Sequence, residues 1–173
     1  MAKNSYSDDE VRERLWEEIK GARFGMLGVV GSRDHFQPMT AFPDPEETTI
    51  WFFTRKDTTI ARNAQDAATE AMFIIQSRDN DFQACIGGRL LQDANRERID
   101  RYWNPLVAAW FPDGKDDAYL TLLKLEGRTA AVWIEDAGRA RFSFEVAKAN
   151  LTGKTPDLSE HHELPLGGGG LRA

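Results

Sequence analysis

The stretch TTIWFFTRKDTTIARN, residues 48–63, decides how the rest of the chain is interpreted. Its first part, Thr48–Thr54, is a run of β-branched and aromatic residues that predicts a strand, and a polar turn then leads into a helix-like end. A strand that delivers hydroxyls, cations and backbone N–H groups to a helix start favours an anion, so this is a candidate phosphate site. The alternative is a surface helix capped by Asp57 or Thr58, and the segment alone leaves both interpretations open.

Length and composition indicate a single globular domain. The chain has 173 residues, of which 41% are hydrophobic and 29% are charged, as is typical of a soluble protein. The 22 basic and 28 acidic residues give a formal charge of −6 without a dense Lys/Arg run, so we expect no nucleic-acid partner. Residues 1–20 lack the apolar core of a signal peptide and no segment is long enough to span a bilayer. We therefore expect no membrane contact and a cytoplasmic location.

The first half of the chain predicts one helix followed by several strands. A capping box that begins at Ser7 predicts an amphipathic helix over about residues 7–22. Pro38 lies in the second strand of a predicted hairpin and cannot donate to a ladder, so that strand should be an edge or be broken there. Paired glycines at Gly87 and Gly88 predict a bulge or a close approach by backbone or ligand. The predicted strands are 24–30, 36–42, 48–54, 71–76 and 82–91, with a helix over 57–66.

The second half predicts a helical insertion, further strands and a tail. Periodicity is lost from Lys148, so we expect a domain over residues 1–154 and a flexible tail over residues 155–173. The whole pattern is mainly β and predicts an antiparallel β-barrel of roughly six to eight strands with flanking helices. The remaining predicted elements are a helical insertion over about 95–111, strands over 118–125, 129–134 and 140–146, and a hairpin turn over 135–138.

With these motifs in order, the chain resembles the general stress protein family of the pyridoxamine 5'-phosphate oxidase-like, FMN-binding split barrels. The resemblance covers roughly residues 8–154, nearly the whole domain. Aromatic strands and Asn-Pro turns are common separately, and it is their order and spacing that make the pattern specific. The motifs that carry it are Pro38-Met39-Thr40, Trp51-Phe52-Phe53-Thr54 followed by Asp57-Thr58, Trp103-Asn104-Pro105, and Ala109-Trp110-Phe111-Pro112 with Gly114 and Asp117.

The resemblance implies a homodimer with two flavin sites at the seam between subunits. FMN is the implied cofactor, and the sequence does not separate it from FAD. The implied site places Met39 and Thr40 along the isoalloxazine, Phe53 and Thr54 along the ring and ribityl chain, and hydroxyls that begin at Thr58 around the phosphate. The candidate cofactor-binding residues are Gln37, Pro38, Met39, Thr40, Phe53, Thr54, Arg55, Thr58, Thr59, Arg62, Trp103 and Trp110.

Two positions depart from the family pattern and bear on the strength of flavin binding. Ile60 stands where family members usually carry a Lys, and Gln37 stands where an Arg is common before Pro-Met. Arg55, Lys56 or Arg62 are candidates to replace the missing charge. A charge-assisted contact contributes roughly 1.5 to 3 kcal/mol, so the loss of one predicts weaker binding.

The resemblance implies a flavin-dependent oxidoreductase of unknown substrate, because the isoalloxazine itself carries electrons and hydride. A true pyridoxamine-phosphate oxidase is disfavoured, since the tail offers only Arg172 as a guanidinium to hold a substrate phosphate. The alternative is a non-catalytic module that stores or senses flavin. A third possibility is a dimeric barrel without any cofactor, in which Trp103 and Trp110 anchor the insertion rather than stack on a flavin.

Several other residues have chemistry that does not define a site. Cys85 lies in an apolar strand and is expected to act as a small hydrophobe. His35 is expected to be solvated in its turn. His161 and His162, with Glu163, are adjacent residues of the predicted tail, and such residues seldom converge on one ion, so we predict no metal site.

Overall fold

The computed structural model describes residues 6–135, 139–153 and 159–167. It contains eight strands, which are β1 (Phe24–Val29), β2 (Gln37–Thr40), β3 (Phe42–Asp44), β4 (Thr49–Arg55), β5 (Thr69–Gln76), β6 (Phe82–Gln92), β7 (Leu120–Ile134) and β8 (Glu160–Pro165). The helices are α1 (Asp8–Ala22), α2 (Thr59–Asn63), α3 (Arg96–Tyr102), α4 (Pro105–Ala108) and α5 (Arg139–Thr152), with a 3-10 turn at Gly114–Asp116.

All eight strands belong to one antiparallel sheet, with the order β2-β1-β5-β6-β7-β4-β3 and with β8 beside β7. This confirms the predicted mainly β fold with flanking helices. Alternate residues of the central strands point into one apolar core, and β5 shows the alternation from Ala71 to Gln76. The rings of Phe52 and Phe73 meet at the centre of this core, with centroids 5.0 Å apart.

Helix α1 closes one side of the core, as the capping box predicts. The Ser7 hydroxyl accepts a hydrogen bond from the Glu10 N–H, and the Glu10 carboxylate accepts one from the Ser7 N–H at 2.7 Å. One face of the helix is buried in the core, through Val11, Leu15 and Ile19. The helix ends at Arg23, which adopts a left-handed conformation with φ 59°.

The predicted bulge lies in β6, where the register with β7 shifts between Gly87 and Gly88. A Cβ atom at Gly88 would lie 2.1 Å from the carbonyl oxygen of Glu126, so only glycine allows the two strands to approach this closely. The approach is one of backbone to backbone, which was one of the alternatives that the sequence left open.

Strand β7 corrects the prediction of two separate strands over 118–125 and 129–134. It is one strand of 15 residues that is continuous through Gly127, whose N–H donates to the Thr48 carbonyl at 2.9 Å. One edge of β7 pairs with β6. The other edge pairs first with β4 and then with β8, so the polar residues in the middle mark a change of partner rather than a turn.

The last part of the chain corrects two predictions. Residues 140–146 lie in helix α5 rather than in a strand. The helix continues through Ala147, Lys148 and Ala149, which favour a helix and follow directly after the predicted strand. The edge of β7 that a hairpin strand would need is occupied by β8. Residues 160–165 are therefore a strand and not a flexible tail, and Leu164 and Leu166 are buried in the core. The rest of the predicted tail, 155–158 and 168–173 with Arg172, and turn residues 136–138 lie outside the described residues.

Two smaller differences concern the segment that defines the site. Helix α2 covers five residues rather than the predicted 57–66, and it ends where the Ala64 N–H bonds back to the carbonyls of Ala61 and Arg62. A short strand, β3, follows β2 directly and pairs with β4, where the sequence predicted only a turn. The bend between β2 and β3 creates the site described below.

The predicted helical insertion is confirmed as α3 and α4, capped by Asn95 and Asn104. Buried Asp44 holds the insertion against β3, because its carboxylate accepts hydrogen bonds from Arg98 at 3.0 Å, Arg101 at 3.1 Å and Tyr102 at 3.3 Å. A second apolar cluster lies beneath the insertion. Its buried members are Trp51, Ile99, Val107, Phe111, Leu120 and Leu122.

Candidate functional site

A cleft opens where the continuous segment of β2 and β3 changes partner. Residues 37–40 pair with β1, whereas residues 42–44 pair with β4, and Ala41 lies at the bend. The register does not extend the pairing of β4 beyond Phe42, so β2 and β4 separate. A gap between two strands leaves backbone groups and side chains available to a ligand.

The alternating direction of the backbone groups along β2 places the N–H and C=O of Thr40 at this gap. The Ala41 N–H donates to the Arg23 carbonyl at 2.7 Å, so the N–H and C=O of Ala41 face β1. Successive residues of a strand point these groups to opposite sides, so those of Thr40 face away from β1. The same alternation directs the missing N–H of Pro38 away from β1, so the proline costs no ladder bond. This confirms that β2 is an edge strand, as Pro38 predicted.

The cleft has a volume of about 460 Å³, which is within the range of small-molecule sites. Its walls are largely aromatic and aliphatic, and its polar groups lie together at the β4–α2 end. The lining residues are Phe24, Pro38, Met39, Thr40, Phe42, Phe53, Thr54, Arg55, Thr58, Leu106, Val107, Trp110 and Phe111.

Two hydroxyls form the polar end. Thr54 Oγ1 lies 3.3 Å from Thr58 Oγ1, which donates to the Arg55 carbonyl at 2.8 Å and accepts from the Ala61 N–H at 3.3 Å. Thr58 is therefore the N-cap of α2, as one of the two interpretations of this segment required. Thr58 gives its one hydroxyl hydrogen to the Arg55 carbonyl, so Thr54 is the donor in the long 3.3 Å contact. Thr54 can turn this hydrogen toward a ligand, so it is the hydroxyl that is more available.

The cations near this end already have partners. Arg55 holds Asp57 with two hydrogen bonds, from Nε at 3.0 Å and from Nη2 at 2.9 Å, and its guanidinium lies 4.4 Å from the ring centroid of Tyr119. Hydrogen bonding from Arg55 lowers the pKa of the Asp57 carboxyl, and the same bond raises the pKa of Arg55. Lys56 donates to the Ala118 carbonyl at 3.1 Å and Arg62 to the Asp57 carbonyl. Of the three, only Arg55 lines the cleft.

The structure brings most of the predicted cofactor-binding residues together. Pro38, Met39 and Thr40 form one wall, and the residues of the β4 end face them. Those that line the cleft are Pro38, Met39, Thr40, Phe53, Thr54, Arg55, Thr58 and Trp110. Those that lie outside it are Gln37, Thr59, Arg62 and Trp103.

Ile60, at the position where the family pattern predicts a Lys, is buried in the main core and is 4% exposed. Its side chain is part of the core that fixes α2 against the sheet, and it does not line the cleft. The departure at residue 60 therefore leaves no gap in the walls of the cleft.

The two tryptophans of the insertion differ in environment. They do not share a helix, because Trp103 ends α3 and Trp110 follows α4, so their spacing of seven residues does not put them on one face. Trp103 packs edge-on to Phe53 with centroids 6.0 Å apart, which anchors the insertion on β4. Trp110 is 74% exposed at the rim of the cleft, where its ring is available to a ligand or to another chain.

Several lining residues were not predicted from the sequence. Phe24 and Phe42 are the first and last residues of the predicted hairpin, and their aromatic side chains were the only available signal. Leu106, Val107 and Phe111 come from the insertion, and nothing in their spacing indicates that α4 folds back over β2. The register of three separate segments brings these residues together.

The two histidines near the end of the chain, His161 and His162, contact other side chains of the fold. His162 is 3% exposed, with its ring nitrogens 3.8 Å from an Asp8 carboxylate oxygen and 3.4 Å from one of Glu160. His161 stacks on Trp133 with centroids 5.0 Å apart. Within the described ranges, no three His, Cys, Asp or Glu side chains are grouped to hold a metal ion. Over the same ranges, no helix has the length and apolar character required to cross a membrane.

Over residues 9–157 the chain matches the family described as pyridoxamine 5'-phosphate oxidase like. The chain belongs to this family. Similar structures confirm the split-barrel fold. A general stress protein 26 from Jannaschia sp. CCS1 is 31% identical, with a TM-score of 0.75, over 91% of this chain and 99% of that one. No curated protein matches the chain.

Two structures from Xanthomonas are also similar. A general stress family protein from Xanthomonas campestris pv. campestris is 35% identical over 77% of this chain and 92% of that one, with a TM-score of 0.71. The general stress FMN/FAD binding protein from Xanthomonas citri is 36% identical over 75% of this chain and 92% of that one, with a TM-score of 0.70. Proteins described as general stress proteins are therefore among those with similar structures.

Proposed function

We propose that this protein binds a flavin, FMN with FAD as the alternative, in the cleft between β2 and β4, and acts as a general-stress-type flavin-dependent oxidoreductase. The observation that carries the proposal is the separation of β2 from β4, which leaves the Thr40 backbone facing an aromatic cleft with hydroxyls at one end. The Xanthomonas citri protein, described as FMN/FAD binding, supports a flavin as the ligand. The single Cys85 supports a cytoplasmic location, where thiols remain reduced.

The residues present fit such a ligand. A flat ring needs apolar walls, which Met39, Phe53 and Trp110 supply, and its polar edge needs backbone donors and acceptors, which Thr40 supplies. A phosphate needs hydroxyls and a cation, and Thr54 and Arg55 lie together at one end of the cleft. When bound, a flavin supplies the electron and hydride chemistry, and the protein holds and orients it.

A homodimer is part of the proposal, with each flavin site at the seam between subunits. Apolar side chains are exposed along the outer face of β1 and β5, where Met26 pairs in register with Ile74. Phe24, which is 60% exposed, belongs both to this face and to the cleft. A second copy that covers this outer apolar face would therefore reach the rim of the cleft.

The test is a titration of the purified protein with FMN and, separately, with riboflavin, which lacks the phosphate. Quenching of the flavin fluorescence measures the binding. Thr54→Val should weaken FMN by roughly tenfold and leave riboflavin nearly unchanged, because one contact to the phosphate is lost. Thr59→Val is the matched control, since Thr59 adjoins the same turn but does not line the cleft. Equal weakening of both ligands by Thr54→Val would contradict the phosphate assignment.

A second function is favoured by one observation, namely that the cleft lacks an acid or base. Among the described residues that line it, none is His, Asp, Glu, Lys, Cys or Tyr. This supports a non-catalytic module that stores or senses flavin. Anaerobic mixing of the flavin-loaded protein with NADH or NADPH separates the two functions, because an oxidoreductase bleaches the flavin and turns over with an acceptor. A protein that binds no flavin at all would support the barrel without a cofactor.

A further inference from the structure

A second cavity adjoins the proposed flavin cleft. It has a volume of about 700 Å³ and lies between α1, the β2–β3 segment and the insertion, and we name it the α1 chamber. The residues that line both cavities are Thr40, Phe42 and Leu106. A molecule in the chamber is therefore separated from the cleft by a single layer of side chains.

The chamber carries two cations that are not neutralised. Lys20 and Arg23 extend from the end of α1 into its lining, and in the described part of the chain neither side chain has an ion-pair or hydrogen-bond partner. Arg101 also lines the chamber but is paired with buried Asp44 at 3.1 Å. Glu17 is the one carboxylate of the lining. The unpaired groups therefore leave a net charge of about one positive unit.

Aromatic surfaces face these charges. Trp16 is 8% exposed, is fixed by the main core and presents one surface to the chamber. Tyr102 and Trp103 line the insertion side. Indole and phenol surfaces with a nearby cation suit a flat conjugated ring that carries a negative group.

We infer that the α1 chamber binds a planar aromatic monoanion, such as an aromatic carboxylate, as a ligand that lies beside the bound flavin; this rests on the proposed function. A monoanion matches the net charge set by Lys20, Arg23 and Glu17. A phosphate dianion does not, because Glu17 lies one helical turn from Lys20 and repels the second charge. The ligand class therefore follows from the balance of charges on the last two turns of α1.

Isothermal titration of the flavin-free protein with three probes tests the chamber alone. 2-Naphthoate should bind about tenfold more tightly than the neutral 2-naphthamide, and 2-naphthyl phosphate should bind no more tightly than 2-naphthoate. The double variant K20Q/R23Q should abolish the preference for 2-naphthoate over the amide. The matched control is R33Q/R78Q, which removes two exposed cations that lie outside the chamber.

Glu17→Gln provides a second variant, which removes the negative charge and so raises the net positive charge of the lining. It should make 2-naphthyl phosphate the tightest of the three probes, since the repulsive carboxylate is gone. Equal affinity for 2-naphthoate and 2-naphthamide would overturn the inference, as would an equal loss of preference in the control.

A final measurement separates this inference from the proposed function. With FMN bound, 2-naphthoate should perturb the visible spectrum of the flavin, because the two cavities share a wall. Binding of FMN without any discrimination among the probes overturns the chamber and leaves the proposed function intact. Discrimination among the probes without FMN binding overturns the proposed function, and binding of both without a spectral change overturns the placement of the ligand beside the flavin.

Discussion

At the scale of single residues, the polar end of the cleft is governed by competition for one cation. Arg55 is the only one of Arg55, Lys56 and Arg62 that lines the cleft, and it is held by Asp57 through two hydrogen bonds. An incoming phosphate must share this guanidinium with a carboxylate, which repels it. The strength of phosphate binding therefore depends on Asp57 as much as on Arg55.

Asp57→Asn should strengthen FMN binding by roughly threefold to tenfold, because it removes the repulsive charge and releases Arg55. The affinity for riboflavin should stay unchanged, since it has no phosphate. Fluorescence titration with both ligands gives the comparison. Asp79→Asn, which removes an exposed carboxylate outside the cleft, should change neither affinity. A weaker affinity of Asp57→Asn for FMN would show that Asp57 does not compete for Arg55.

Cys85 gives a prediction that depends on pH. Burial raises the pKa of its thiol, so at any pH below that value the reactive thiolate is scarcer than in an unfolded chain. Alkylation by iodoacetamide should therefore have its midpoint at a higher pH in the folded protein than in the same protein in urea. The measurement is the reaction rate against pH in both states, and coincident midpoints would contradict the shift.

At the scale of elements, β8 distinguishes a structural strand from a flexible tail. Leu164 is 2% exposed within the core, whereas its neighbour Glu163 is exposed on the outer face. Leu164→Ala should lower the free energy of unfolding by about 2–5 kcal/mol, because it leaves a cavity. Glu163→Ala should change it by less than about 0.5 kcal/mol. Urea unfolding of both variants measures the two changes in the free energy of unfolding. Similar changes in the two variants would be expected only of a tail that does not pack.

At the scale of the whole molecule, the outer apolar face links assembly to the cleft. Ile74→Glu places a charge beside Met26 on this face and should convert the proposed dimer into a monomer. FMN binding should weaken in the same variant, because the partner completes the seam. Sedimentation velocity measures the first effect and fluorescence titration the second.

Leu151→Glu is the matched control for assembly. It makes the same kind of change at a side chain that is 87% exposed on α5. A parent protein that is already monomeric, or a dimer that persists in Ile74→Glu, would contradict this interface. A monomer with full FMN affinity would instead place the whole site within one chain.

Local signals in the sequence were strong for the first two-thirds of the chain. The capping box at Ser7, the edge character of Pro38 and the bulge at Gly87 and Gly88 each depend on neighbouring residues or on one strand pair, and all are confirmed. The predictions for residues 140–146 and 160–165 were wrong, because strand and helix patterns are ambiguous in short apolar runs. There, occupancy of the β7 edge by β8 decides the outcome.

The fold class, most of the element order and the segment that presents Thr54, Arg55 and Thr58 could be predicted from the sequence, because side-chain alternation and capping are local properties. The long-range packing is needed to show that Ile60 enters the core and that α4 lies over β2. The physical reason is that a cleft exists only where separate strands diverge. That divergence depends on long-range register, which no single segment encodes.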